Sequence, residues 1–246
     1  MSDGVLLIHA FPLDADMWQG QVASLSARLP VVAPHLPGFG GSAPAGELMT
    51  MSAAAARCVE ALDDAGVDRA VVCGLSMGGY VAMELWRRAP ERFAGLILAN
   101  TRAGSDSSEA AAGRRALADR LRTEGSAFLV ESPPPLLSDS APGELWDRVR
   151  SLIAAQSADA IAAAALGRAA RPDSTPDLAG IVVPTLVVTS DRDTLIAPDA
   201  TTPMAGEIPG ANLAVIPDAG HLSNLEAPTR FAELLGAHLT RCGLPG

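Results

Sequence analysis

Ser76 sits in the stretch CGLSMGGYVA with Gly74, Gly78 and Gly79 around it, an expensive concentration of glycine for a chain that is otherwise regular there. A serine held on a tight turn at the end of a strand exposes its hydroxyl, and such a turn tolerates only small neighbours at positions 74 and 78. If a helix follows, its N-terminal N–H groups point toward the same place, where they would stabilise a developing oxyanion. A serine hydroxyl is a weak nucleophile near neutral pH, so this chemistry requires a base. The sequence offers four histidines. His9 ends an apolar run, His35 precedes a glycine-rich loop and His238 lies in a terminal helical stretch. His221, in IPDAGHLSNLEAP, stands on a loop introduced by Gly220 and is the expected base. The base in turn needs a carboxylate to fix its tautomer. TLVVTSDRDTLIAP supplies Asp191 and Asp193, and Asp218 lies close to His221 in the chain. Spacing leaves Asp191 and Asp193 open.

These residues need a frame. Short apolar runs recur at 5–8, 31–33, 70–73, 96–99, 185–189 and 213–216, without the polar alternation of a half-exposed strand. Such runs fit strands buried on both faces of a parallel sheet. Helix-like stretches at 15–28, 52–65, 78–89, 199–207 and 228–240 alternate with them, which predicts an α/β doubly wound sheet of six parallel strands. In that arrangement Ser76 follows the third strand, the two aspartates the fifth and His221 the sixth, all on the edge where such sheets place their sites. One interval breaks the rhythm. Residues 101–177 hold no strand-like run and are rich in alanine and arginine, so they read as an inserted helical cap, leaving 1–100 and 178–246 as the core. Within the insertion ELWDRVRSLI places Leu145, Trp146, Val149, Leu152 and Ile153 on one helical face. Trp146 is therefore a candidate for lining an apolar pocket, and Arg102, at the entry to the insertion, for meeting an anionic substrate.

Composition narrows the partners. The 246 residues carry 28 acidic against 18 basic side chains, a net charge of −10 with no basic cluster, which argues against nucleic acid or an anionic membrane as partner. GVLLIHAF is interrupted by His9 and Pro12 and does not read as a leader or a span, so a cytoplasmic protein is expected. Cys58, Cys73 and Cys242 show no metal-ligand spacing and fit reduced thiols. No metal or cofactor is expected, a small molecule is the expected partner, and oligomeric state is not readable.

The pieces HAFPLDADMW, HLPGFGGS, GLSMGGYVA, TSDRDTLIAP and GHLSNLEAP occur in one order along the chain. In that order the chain resembles the α/β-hydrolase superfamily, and within it small capped esterases and hydrolases of the 3-oxoadipate enol-lactonase type. The resemblance implies Ser76 as nucleophile and His221 as base, and it favours Asp193 over Asp191 as the acid. It further implies that the backbone N–H groups of Phe11 and Met77 form an oxyanion hole, with Phe11 lining the acyl pocket and His9 structural. Three departures stand out: Ala10 replaces a usual glycine, His35 replaces a usual aspartate, and the chain leaves no room for the antiparallel hairpin that opens many members. The implied activity is hydrolysis of a carboxylic ester, lactone or thioester. Alternatives are carbon–carbon bond hydrolysis of the ring-fission type, a perhydrolase or haloperoxidase side activity, and a noncatalytic binding module on the same fold.

Overall fold

The structure, a computed structural model, describes residues 2–246. Six strands, β1 Asp3–Ile8, β2 Val31–Val32, β3 Arg69–Leu75, β4 Phe93–Ala99, β5 Thr185–Ser190 and β6 Asn212–Ile216, form one sheet in the order β2-β1-β3-β4-β5-β6. Every pairing is parallel. The apolar runs explain this: β1, β3 and β4 are buried almost throughout, as strands covered by helices on both faces must be. Only β6, at the sheet edge, exposes apolar side chains, Leu213 and Val215.

The helices are α1 Gln19–Leu25, α2 Met51–Asp64, α3 Met77–Arg88, α4 Ser108–Glu124, α5 Ala127–Glu131, α6 Gly143–Ala154, α7 Ala158–Ala169, α8 Pro198–Thr201, α9 Pro203–Glu207, α10 Ser223–Glu226 and α11 Pro228–Arg241. Where continuous helices were expected at 15–28 and 199–207, the chain breaks each one. The first opens as a 3-10 turn at Ala15–Trp18, capped by the Asp14 side chain on the Asp16 N–H, before α1 begins. The second restarts at Pro203, which has no N–H to continue the ladder of α8.

Four helices, α4 to α7, lie between β4 and β5. Ser107 and Ser157 cap α4 and α7 through side-chain oxygens on Ala110 N and Ala160 N. The alanine-rich α7 packs closely on α4 and is buried nearly all round. Its small residues let it press against the loop before α2. A Cβ on Gly167 would lie 1.7 Å from the Met49 carbonyl oxygen, and Ala163 O accepts a hydrogen bond from Met49 N at 3.2 Å. On α6 Val149 and Ile153 are buried while Leu145, Trp146 and Leu152 are half-buried against the same core. Among the described residues no single helix is long and apolar enough to cross a membrane.

Candidate active site

Parallel strands bring all their C-terminal ends to one edge, so Ser76, Asn100, Asp193 and His221, far apart in the chain, all follow strand ends on that edge, with no hydrogen bond between Ser76 and His221. The glycines around Ser76 are explained by contact. Ser76 has φ 57° and ψ −115°, a strained backbone for a residue with a side chain. Turning straight from β3 into α3 carries Gly74 against Gly78, where a Cβ would lie 2.2 Å from the Gly78 carbonyl oxygen. A Cβ on Gly78 would fall 2.1 Å from the Ile8 carbonyl oxygen, and one on Gly79 would strike Thr101 at 2.5 Å. Hydrogen bonds fix the turn from behind, with Ser76 N donating to Ala99 O at 2.9 Å and Thr101 Oγ1 donating to Ser76 O at 2.8 Å. The serine is 2% exposed.

Asp193 and His221 are joined. His221 Nδ1 lies 2.8 Å from Asp193 Oδ2, both side chains fully buried. A carboxylate only accepts, so Nδ1 carries the proton and Nε2 presents a lone pair. That Nε2 is buried and has no hydrogen-bond partner among the described residues. Asp193 is itself held by four donors. Its Oδ1 takes the N–H groups of Leu195 and Ile196, each at 2.9 Å, and its Oδ2 takes Asn100 Nδ2 at 3.0 Å besides the imidazole. The other two carboxylates point away, since Asp191 is exposed and Asp218 pairs with Arg192 at the surface.

Asn100 and Ser223 went unnoticed in the sequence. Asn100 directly follows β4 with φ 45°, a conformation asparagine tolerates, and its amide bridges Asp193 and Ser190 while Ser223 Oγ donates to its Oδ1 at 2.7 Å. One buried amide thus ties together the loops after β4, β5 and β6. The positive φ is the only local sign, and it is not readable from residue type.

The chain leaving β1 passes beside the start of α3, since Ile8 O and His9 O are among the groups nearest to a Cβ on Gly78, and Phe11 stands two residues beyond His9. His9 anchors that passage: Leu36 N donates to its Nε2 at 3.0 Å and its Nδ1 lies 3.1 Å from Ala10 O. His35 packs its ring against Gly40, where a Cβ would come within 1.9 Å of Nδ1, and its Nδ1 accepts from Ala15 N at 3.3 Å. The imidazole therefore anchors the glycine-rich loop where an aspartate was the usual residue.

The segment between β4 and β5 reaches the same edge. Leu222 N donates to Leu136 O, and Glu226 accepts from Ser138 N at 3.0 Å and from Gly220 N at 2.9 Å, which clamps the His221 loop to the segment before α6. Trp146 is half-buried against the core, with Arg150 on the next turn 5.9 Å from its ring. Arg102 is engaged by Asp106 at 2.6 Å. Over the Phe11 ring stands a different arginine, Arg168, 4.1 Å from the ring centroid.

Among the described residues no group of three or more His, Cys, Asp or Glu side chains is arranged to hold a metal ion. The arrangement can hold a proton on Nδ1, accept one at Nε2 and present a hydroxyl at a helix N-terminus.

The chain is similar to several known proteins. The chain is 31% identical over 242 residues to the dihydrolipoyllysine-residue acetyltransferase component of the acetoin cleaving system of Cupriavidus necator, covering 97% of this chain and 64% of that protein. It is 29% identical to 3-oxoadipate enol-lactonase 1 of Acinetobacter baylyi, over 94% of this chain and 86% of the relative. A thermophilic esterase from Thermogutta terrifontis, solved with malate bound, superposes with a TM-score of 0.93 at 40% identity, over 97% of this chain and 90% of that one. Residues 5–234 match the model of the alpha/beta hydrolase family. With the strand order, the strained serine turn and the matched span in agreement, the chain belongs to the alpha/beta hydrolase family.

Proposed function

We propose that this protein is a serine hydrolase that cleaves a carboxylic ester, lactone or thioester through an acyl-enzyme on Ser76. His221 Nε2 takes the hydroxyl proton as Ser76 Oγ attacks the carbonyl carbon, and Asp193 stabilises the imidazolium that forms. The N–H groups of Phe11 and Met77 are the donors for the tetrahedral oxyanion. Collapse breaks the bond to the leaving group, which takes its proton from His221. Water then attacks the acyl-enzyme, giving its proton to His221, and Ser76 leaves with that proton as the acid is released.

The observation that carries this reading is the His221 imidazole, oriented by a carboxylate under four hydrogen bonds and left with a buried, unpartnered Nε2, at the same sheet edge as a strained serine turn. Residues 101–177 act in it as a cap, supported by the contacts of Leu136 and Ser138 with the His221 loop and of Arg168 with Phe11. Three free cysteines fit a cytoplasmic setting. A fluorophosphonate probe tests the reading: it should label the wild-type protein and not Ser76→Ala, and a screen of short and long acyl esters, lactones and thioesters should show turnover. Failure to label folded wild-type protein would favour a noncatalytic binding module.

A further inference from the structure

Arg168 is a buried cation without a hydrogen bond or ion pair, on which Tyr80 and Asp106 act only through space. It is 7% exposed, its Nε has no hydrogen-bond partner, and no hydrogen bond or ion pair is made by its side chain among the described residues. Burying an unpaired charge is costly, so a fold that retains one without evident structural return points to a ligand that completes it. The neighbouring arginines each have an ion-pair partner, although Nε of Arg102 and of Arg171 is also without a hydrogen bond. Asp106, itself buried, takes Arg102 at 2.6 Å, Arg171 at 2.8 Å and Arg114 as well. Burial pushes the Asp106 carboxyl up, but the hydrogen bonds of Arg114 and Arg171 outweigh it and hold the group well below the usual carboxylate range. One carboxylate is thus fully committed to three guanidinium groups, and the fourth is left over.

Its surroundings offer attraction but no acceptor. Phe11 lies beneath it at 4.1 Å, and Tyr80, in the first turn of the helix behind Ser76, lies beneath Arg171 at 4.1 Å. Rings attract these cations through their faces yet leave the in-plane N–H bonds of the guanidinium unmet. Burial first, then the charge of Arg114, pulls Arg168 down to about 9, so it remains a cation near neutral pH. Its position is not accidental slack, because Gly167 locks the end of α7 against Met49 and Arg168 O receives Arg171 Nη1 at 2.9 Å.

We propose that Arg168 is a specificity-determining residue that binds an ionised carboxylate carried by the substrate, so that the preferred ester or lactone has a second, free carboxylate. A guanidinium with no ion pair suits one carboxylate group; glutarate carries its second carboxylate at the far end of the chain, toward the oxyanion donors, whereas a phosphate gathers its second charge on the same group, with nothing left to meet it. The proposal rests on the hydrolase reading for the bond cleaved but not for the charge recognised.

Two measurements test it. In the first, proton release is followed for the monomethyl esters of glutarate and adipate against methyl pentanoate and methyl hexanoate. Wild-type kcat/KM should favour the charged ester of each pair at least tenfold, and Arg168→Gln should lower that ratio at least tenfold, chiefly through KM. In the second, calorimetry measures glutarate, butyrate and inorganic phosphate binding to wild type and to Arg168→Gln. Glutarate should bind most tightly, and only to the wild type. Ester turnover with no preference for the charged member overturns the proposal and leaves the hydrolase reading standing. Arg168-dependent glutarate binding without turnover of any ester does the reverse. Phosphate binding tighter than glutarate overturns the carboxylate assignment, and the wild-type comparisons decide the matter even if Arg168→Gln fails to fold.

Discussion

Acidification should unfasten this protein through two buried histidines, and the size of the effect follows from their surroundings. His9 is fully buried; burial is the main cause that lowers it to about 4, with His35 adding a little against the Ala10 carbonyl. His238 is lowered to about 4 as well, by burial and then by Arg241. Both remain neutral in the folded protein under conditions where the unfolded chain, with an ordinary value near 6.5, already takes up a proton. A folded value below the unfolded one means that the stability is present above about pH 6.5 and is lost as pH falls toward about 4. From about pH 7 to about pH 5 the loss works out to roughly 2 kcal/mol for each histidine, about 4 for both. With a urea dependence of about 3 kcal/mol/M for a chain of this size, the unfolding midpoint should fall by more than about 1 M over that range. Asp106 titrates far below this window and adds nothing to it. His9→Gln keeps an acceptor for Leu36 N but cannot be protonated, so it should show about half the wild-type fall. Urea titrations followed by tryptophan fluorescence at several pH values provide the measurement. An equal fall in wild type and His9→Gln would refute the assignment to His9, and a flat wild-type profile would refute the whole account.

Asp193→Asn should lower kcat/KM for an ester by on the order of a thousandfold or more, because the imidazole loses both its tautomer and its counter-charge, whereas Asp191→Asn should be nearly silent; the reverse order would move the acid to Asp191. Asn100→Ala removes one of four donors to the Asp193 carboxylate and should cost roughly ten- to a hundredfold in kcat with little change in KM, read in steady-state assays. Gly78→Ala drives a Cβ against backbone at Ile8 and should cost about 2–3 kcal/mol, or about 5–10 °C in Tm, while Gly20→Ala, which meets nothing within 4 Å, should be neutral or slightly stabilising. Calorimetric melting of the two glycine variants separates close approach from mere glycine content.

The sheet was legible because each central strand is a continuous apolar run between turn residues, a pattern that buried parallel strands cannot avoid. The serine turn was legible for a similar reason: three glycines within six residues have few other uses. Choosing between Asp191 and Asp193 was beyond spacing, since the choice depends on which side chain turns inward to meet the Leu195 and Ile196 N–H groups. Asn100 was invisible because its partners Ser190, Asp193 and Ser223 lie some ninety or more residues further along the chain. The arginines were the hardest case. Arg102 and Arg168 look alike in the sequence, and only the position of Asp106 shows that the first is paired and the second is not.

The close seat of α7 against the chain before α2 bears on attempts to recombine this fold. The peptide sequence suggests a transplantable module, residues 101–177, that could be exchanged between relatives to transfer selectivity. Physically the seam lies elsewhere. Gly167 fits only against the Met49 carbonyl, Ala160 sits 3.0 Å from where a Cβ on Gly38 would be, and Gln156 bridges Gly40 N at 3.0 Å to Asp14 at 2.8 Å. A graft cut at the chain boundaries would set a foreign α7 onto a loop shaped for this one, and chimeras should assemble well only when residues 36–50 travel with the insertion. On the proposed reading of residues 101–177 as a cap, the unit to exchange is therefore discontinuous, and shuffling libraries with crossovers on both sides of that loop should recover more folded clones than those that treat 101–177 as a single block.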